Sequence, residues 1–421
     1  MAKKFSDFKK QLERIYNNNK VYQQKMNKVG ITLNDIKSWN DISKLPLTTK
    51  EDLLKEYPNG WYCTSPTKIK MYHSSSGTTG KPLIVGLTEQ DINFRKEVIQ
   101  ENARMAGITA KDTIQICYGF GMFTGGLSFY EGLKELGCKI IPTGTMSTEM
   151  QLFYMQKLKT TVLITSPSQV MHIYEKAKFL KIDVKKLPIR IIRVGSELLT
   201  ETMRKKIKKA YGEKVSVTQD YGMTETLGPG LGMECQCENG MHLNSKYYFE
   251  LVDPITKKPT KKTTGELVVT TIYNECCPII RYATNDLVKI SKDKCPCGYN
   301  TPRITKFIGR IDDMLKVKGV KIFVSQIEDF LFNHPYFNHQ YEIVISKEKY
   351  KDILTINIEY MDEITPDIKN KISTYQNKIE EEFKSVFGIT STINILNSKT
   401  LKQYPGKSVR VKDLRKVPII I

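Results

Sequence analysis

His73-Ser74-Ser75-Ser76-Gly77-Thr78-Thr79-Gly80-Lys81-Pro82 sets glycines among hydroxyl side chains and closes on a lysine. Glycine lets a backbone wrap an anion closely, while hydroxyls and an ammonium add donors, so the stretch reads as a phosphate-cradling loop. It is not a Walker A loop, because that frame needs Gly at 75 and a hydroxyl at 82, where this chain has Ser75 and Pro82. A flexible Ser/Gly linker has the same composition. The surrounding sequence has to decide between the two.

Downstream, short β-branched runs alternate with helical patterns: Lys139 to Pro142, Thr161 to Thr165, Arg190 to Val194 and Val215 to Thr218. This is the pattern of a parallel sheet with helical crossovers. Thr200 as N-cap, a Met203/Ile207/Tyr211 stripe and Gly212 as the residue past the end delimit one crossover helix. Ligands on such sheets bind in loops at the carboxyl ends of the strands. After residue 240 the pattern becomes hairpin-like, with strands over Tyr247–Val252 and Gly265–Thr271, which reads as a β-rich subdomain. From Gly309 a third style follows. A strand is expected at Met314–Val317, a helix at Ser325–Asn333, paired strands at 341–346 and 353–360, a helix at about 366–387 and a strand at Thr392–Leu396.

With 421 residues, 40% hydrophobic and 26% charged, the chain has ordinary globular composition and room for a large core. Its 65 basic residues against 45 acidic ones give a net charge of +20. Only 11 of the 65 are Arg, and base-edge or bidentate phosphate recognition favours Arg, so the charge reads as a lysine-rich surface that attracts small anions. No nucleic-acid and no membrane partner is expected. No apolar run approaches a membrane span and no secretory h-region follows Met1, so a cytoplasmic protein is expected. The nine cysteines then point to free thiols or a metal site rather than disulfides.

Ser75-Ser76-Gly77-Thr78-Thr79-Gly80-Lys81-Pro82 resembles the phosphate loop of the adenylate-forming superfamily, which includes acyl-CoA synthetases, luciferases and peptide-synthetase adenylation domains. Later blocks fall in that family's order: Tyr221-Gly222-Met223-Thr224-Glu225, Gly265-Glu266-Leu267, Arg281 to Asp286, Gly309-Arg310-Ile311-Asp312-Asp313 and Pro405-Gly406-Lys407. Tyr118-Gly119-Phe120-Gly121-Met122-Phe123-Thr124-Gly125-Gly126, Gly228-Pro229-Gly230, Glu234-Cys235, Gly240-Met241-His242, Cys295-Pro296-Cys297-Gly298 and Val324 to Glu328 resemble phenylacetate-CoA ligases in particular.

The resemblance implies an α/β fold. A large N-terminal adenylation domain of helix-covered β-sheets with a β-rich subdomain would span 1–309, and a small mobile α+β C-terminal domain 310–421. It also implies an AMP-forming ligase that joins a carboxylate to ATP as acyl-AMP and then passes the acyl group to CoA. The acid would be aryl, phenylacetate- or benzoate-like. A carrier-protein thiol or an amine as acceptor, in amide or heterocycle biosynthesis, stays open. Ser75, Ser76, Gly77, Thr78, Thr79, Gly80 and Lys81 would hold the β- and γ-phosphates. Glu225 would bind Mg²⁺, a hard cation that wants carboxylate oxygen, and Thr224 the α-phosphate. Gly195, Ser196, Glu197, Asp220, Tyr221, Gly222 and Met223 would line the adenine pocket, with Tyr221 stacked on the base, and Asp286 and Arg310 would bind the ribose. Lys407 would stabilise the charge of the adenylation transition state, and Asp312 would be the hinge. Tyr118, Phe120, Phe123 and Gly125 would border the acyl pocket, although core packing explains any one of the aromatics equally well. Relatives are often dimers, which leaves a homodimer open.

Two features depart from the family pattern. An arginine is missing from Tyr282-Ala283-Thr284-Asn285-Asp286, where Asn285 replaces a glycine yet tolerates left-handed backbone, and Ser196 stands where phenylacetate ligases usually carry Ala. Cys235, His242, Cys295 and Cys297 form a candidate S₃N set for a structural Zn²⁺, with Cys237 as an alternative to Cys235.

Overall fold

The computed structural model describes residues 4–55, 57–75, 82–334, 336–349, 351–360, 372–401 and 410–415. Two units emerge, Met1–Phe307 and Ile308–Ile421.

The first unit opens with α1 (Phe5–Asn18) and α2 (Lys20–Lys28). Phe8, Leu12 and Ile15 fall on one face of α1 and are fully buried. Polar clasps reinforce that face: Gln11 Nε2 and Arg14 Nη2 both donate to Asn274 O, and Arg14 Nη1 donates to Glu275 O at 2.7 Å. After a one-turn α3 (Lys50–Leu53), β1 (Ile69–Ser74) and β2 (Ile84–Thr88) form an antiparallel hairpin in which Ser74 faces Ile84. The segment 76–81 between them lies outside the described residues. Thr88 and Asp91 form a capping box that starts α4 (Glu89–Met105) directly after β2.

Strands and helices then alternate: β3 (Thr113–Ile116), α5 (Thr124–Glu135), β4 (Lys139–Ile141), α6 (Thr148–Lys157), β5 (Val162–Thr165), α7 (Pro167–Phe179), β6 (Ile191–Val194), α8 (Glu201–Tyr211) and β7 (Ser216–Met223). α8 is capped by Thr200, whose side chain accepts from Met203 N, and ends at Gly212 with φ 123°. Six further strands follow: β8 (Gly228–Glu234), β9 (Met241–Leu243), β10 (Tyr247–Val252), β11 (Thr264–Thr271), β12 (Tyr282–Ser291) and β13 (Arg303–Arg310), the last running past the end of the unit at Phe307.

The hairpin-like region does not stand apart from the parallel region. β3 to β13 join in one 11-stranded sheet of order β10-β11-β12-β13-β9-β8-β7-β6-β5-β3-β4. β7 is the joint: Ser216 to Gln219 pair parallel with β6, and Asp220 to Met223 pair antiparallel with β8. Gly222 makes the second pairing feasible, since a Cβ there would lie 2.3 Å from Gly228 O.

In the second unit, β14 (Met314–Val317) and β15 (Val320–Phe323) form a hairpin ahead of α9 (Val324–Phe332). β16 (Phe337–Glu348) and β17 (Lys351–Tyr360) pair over more residues than the sequence suggests. A helix over Ile372–Phe387 follows, its expected first turns falling in 361–371, outside the described residues. β18 (Thr392–Leu396) and β19 (Val411–Asp413) flank the pair in the order β18-β17-β16-β19. Among the described residues no helix is long and apolar enough to cross a membrane.

Candidate active site at the sheet joint

The parallel strands β3, β5, β6 and β7 deliver their carboxyl ends to one edge, and the expected site residues follow those ends. Tyr118 comes two residues after β3, Gly195-Ser196-Glu197 directly after β6, and Thr224-Glu225 directly after β7. Strand order reverses between β3 and β5, with β4 outside β3 and β6 and β7 outside β5, so this edge is also a topological switch point, where open α/β sheets bind ligands.

The Tyr221 hydroxyl donates to Asp286 Oδ2 at 2.6 Å, which links the expected base-stacking ring to the expected ribose acceptor. The Tyr221 ring lies 5.1 Å from that of Phe307. Thr284 Oγ1 accepts from Asp286 N at 3.1 Å, and Asn285 takes φ 62°, the left-handed geometry a glycine would otherwise supply. Glu225 is buried, and its Oε1 accepts from Tyr282 OH at 3.1 Å. Ser196 holds φ 64°, a left-handed conformation costly for a residue with a side chain.

Two carboxylates of the adenine set are already engaged. Glu197 accepts from Ser168 Oγ at 2.9 Å and Ser168 N at 3.2 Å, capping the first turn of α7. Asp220 is gripped by Arg193 through both Nε and Nη2. Both residues of that pair are buried; burial pushes the Asp220 carboxyl up, and the Arg193 guanidinium pulls it back. Neither residue therefore offers a free carboxylate.

The aromatic block divides. The Tyr118 ring stacks on Phe129 at 6.1 Å and its hydroxyl donates to Thr165 O at 2.5 Å, with burial pushing the phenol pKa up. Phe129 in turn lies 5.1 Å from the Arg193 guanidinium. Phe120 meets Tyr130 edge-on, and with Tyr118 it packs against the core under the sheet. Phe123 is 53% exposed at the start of α5. Gly126 permits the close approach of α5 to this loop, because a Cβ there would lie 2.4 Å from Gly119 O.

Ser75 N donates to Leu83 O at 2.9 Å, and Ser75 Oγ accepts from Leu83 N at 3.0 Å, closing the base of the phosphate-loop hairpin. Ser76, Gly77, Thr78, Thr79, Gly80, Lys81 and Lys407 lie outside the described residues. Within the second unit, Arg310 donates to Asp312 through Nε at 2.9 Å and Nη2 at 2.8 Å.

The cysteine cluster gathers as the spacing suggests. One donor atom each from Cys235, His242, Cys295 and Cys297 lies within 4.8 Å of the others, and exposed Cys237 is not among them. Cys235 Sγ and Cys295 Sγ are 3.7 Å apart, and Cys297 Sγ is 3.3 Å from His242 Nε2. A tetrahedron with metal–sulfur bonds of about 2.3 Å has edges of about 3.8 Å, so the donor set fits Zn²⁺. His242 Nδ1 lies 3.2 Å from Thr301 Oγ1, a partner that holds Nε2 toward the thiols.

Sequence reading missed Arg193, Phe129, Tyr282 and His73. Arg193 left a signal: a charge inside Ile191–Val194, a run buried in a parallel sheet, needs a buried partner.

Residues 24–273 match the AMP-binding enzyme family and 319–415 the AMP-binding enzyme C-terminal domain. The chain is 31% identical over 420 residues to the phenylacetate-coenzyme A ligase of Aromatoleum evansii, covering 96% of this chain and 94% of that one. It is also 31% identical over 410 residues to that of Escherichia coli (strain K12), covering 96% and 93%. Among solved structures, 2-hydroxyisobutyryl-CoA ligase in the postadenylation state superposes with TM-score 0.88 at 21% identity, over 97% of this chain and 88% of that one. The strand order, the loops gathered at the β7 joint and these likenesses agree: the chain belongs to the AMP-binding enzyme family.

Proposed function

We propose that this chain is an AMP-forming ligase that activates an aryl carboxylic acid and transfers it to CoA. The observation that carries this reading is the Tyr221–Asp286 hydrogen bond at the joint of the sheet, beside Glu225. It joins an aromatic face for a base to a carboxylate for ribose hydroxyls, next to a carboxylate suited to a hard cation. In the first half-reaction a substrate carboxylate oxygen bonds to the α-phosphorus of ATP and pyrophosphate leaves. In the second the CoA sulfur bonds to the acyl carbon and AMP leaves. Tyr221 and Asp286 would hold the nucleoside, with Arg310 as a second ribose contact. Thr224 would bind the α-phosphate, and Ser75 with the 76–81 segment the outer phosphates. Mg²⁺, held by Glu225, would neutralise phosphate charge. Lys407 would meet the charge that develops at the α-phosphorus, and Asp312 would be the hinge between half-reactions. Phe123, Gly125 and the edge of Tyr118 would border a flat acyl group.

Pyrophosphate release across benzoic, hydroxybenzoic, aminobenzoic, phenylacetic and short-chain fatty acids, each with and without CoA, tests this. Release that depends on an aryl acid and yields acyl-CoA is expected. Release without a CoA product moves the acceptor to a carrier-protein thiol or an amine, and silence across the panel overturns the reading.

We further propose that Cys235, His242, Cys295 and Cys297 hold a structural Zn²⁺ that ties β8 and β9 to the connection between β12 and β13. Elemental analysis should find about one zinc per chain. Chelation should lower the melting temperature, and Cys295→Ser should abolish the bound metal.

A further inference from the structure

His73 is fully buried one residue before the end of β1, and the mechanism above does not use it. Its Nε2 lies 2.9 Å from Nη1 of Arg95, a guanidinium that can only donate, so Nε2 accepts and the ring proton sits on Nδ1. Nδ1–H then donates to Met122 O at 3.0 Å. The same carbonyl accepts Ser74 N–H at 2.9 Å. Arg95 continues the line, its Nη2 donating to Glu131 at 2.5 Å. Burial first and Arg95 second push the His73 pKa below the ordinary histidine value, against the bond to Met122 O and the charge of Glu131, which favours the neutral ring that this pattern requires.

The placement of these residues gives the line its meaning. His73 precedes the phosphate-loop segment, and Arg95 follows it on α4, the helix that continues from β2. Met122 belongs to the aromatic loop that borders the acyl side, and Glu131 follows that loop on α5. One line of hydrogen bonds, Glu131–Arg95–His73–Met122 O, therefore ties the strand before and the helix after the phosphate-loop segment to the aromatic loop and to the helix that follows it. The geometry points to His73 as a positioning residue that fixes the acyl-side loop relative to β1, the strand that leads into the phosphate-loop segment, through its Nδ1–H bond to Met122 O. Carboxylate and α-phosphate must meet within near-attack distance, and a misplacement of about 1 Å costs about 100-fold. This inference rests on the ligase reading above and names a residue that sets its precision.

The test compares two isopolar variants in pyrophosphate release, using the panel acid turned over fastest. His73→Asn puts an amide N–H where Nδ1 was and keeps the bond to Met122 O. His73→Gln reaches the Nε2 position, keeps the Arg95 contact and loses Met122 O. The Asn variant should stay within about threefold of the unmodified chain in kcat/KM for the acid, and the Gln variant should fall about 10- to 100-fold. The dissociation constant for ATP alone should change less than about threefold in both. Equal activity in the two variants, or an equal loss in both, overturns the inference while leaving the ligase intact. Loss of ATP affinity that matches the loss of activity in the Gln variant reduces His73 to a structural role and also overturns it. Silence of the unmodified chain across the panel overturns the ligase reading and takes this inference with it.

Discussion

Lys407→Ala is expected to lower acid-dependent pyrophosphate release by at least about 100- to 1,000-fold, the usual cost of removing one donor aimed at transition-state charge. Affinity for ATP should stay within a few-fold, because Tyr221, Asp286 and Glu225 are untouched. The fold supplies an anchor close to the lysine. Arg410, three residues on, pairs with Glu328 at 2.6 Å and lies 4.7 Å from the Tyr341 ring, while Arg410 O accepts Ile343 N–H at 2.7 Å. β19 then runs parallel to β16. The chain that carries Lys407 is thus tied to the second unit's sheet immediately after it. The second half-reaction offers a control: supplied with chemically made acyl-AMP and CoA, the variant should form acyl-CoA at close to the unmodified rate. Stopped-flow or quench measurement of each half-reaction decides the matter, and full adenylation activity in Lys407→Ala would remove the residue from the mechanism.

The largest effect on stability should come from Arg193→Met. Arg193 and Asp220 are a bidentate pair buried in neighbouring strands of the parallel sheet, with the guanidinium beside Phe129. Methionine keeps much of the volume and removes the charge. Asp220 is then left as an uncompensated buried carboxylate, a change that costs about 3–5 kcal/mol. Much of the total stability of a domain is of that size. The sign of the pH response follows from the lost partner. Arg193 lowers the Asp220 pKa and burial raises it, so its removal raises the folded-state value further above the unfolded one. Stability of the variant should therefore decline as pH rises above the unfolded carboxylate range and recover toward acid, where Asp220 is protonated in both states. Denaturant unfolding at pH 5 and pH 8 reads this directly. The double variant Arg193→Met/Asp220→Leu should regain most of the loss, since an apolar pair of similar volume carries no buried charge.

How much of this was legible in the sequence depended on range. β-branched runs at Thr161–Thr165 and Arg190–Val194, or the cap-to-glycine frame of α8, are local signals, and the structure places those elements within a residue or two of where they read. The blocks around Tyr221 and Asp286 were legible as motifs, but not that one hydroxyl joins them across 65 positions. The single sheet was harder still. Alternation near Tyr247–Val252 marks a strand without naming its neighbour, and the union of the two regions depends on β7 pairing in opposite senses along eight residues. A histidine before a glycine-rich loop carries no periodic or compositional mark, so the role argued for His73 became visible only once Arg95 and Met122 were beside it.

The clasp of α1 sets an order of events during synthesis. Arg14 closes on Glu275 O across 261 positions, and Gln11 on Asn274 O across 263. At roughly 5–20 residues per second, the ribosome needs on the order of 13–50 s after Arg14 emerges before those carbonyls exist. Through that interval the Phe8, Leu12 and Ile15 face can rest only on its early neighbours, such as Trp39. A nascent chain of this design holds α1 by apolar contacts alone, and the polar lock on the first unit closes only when residues near 275 have left the ribosome.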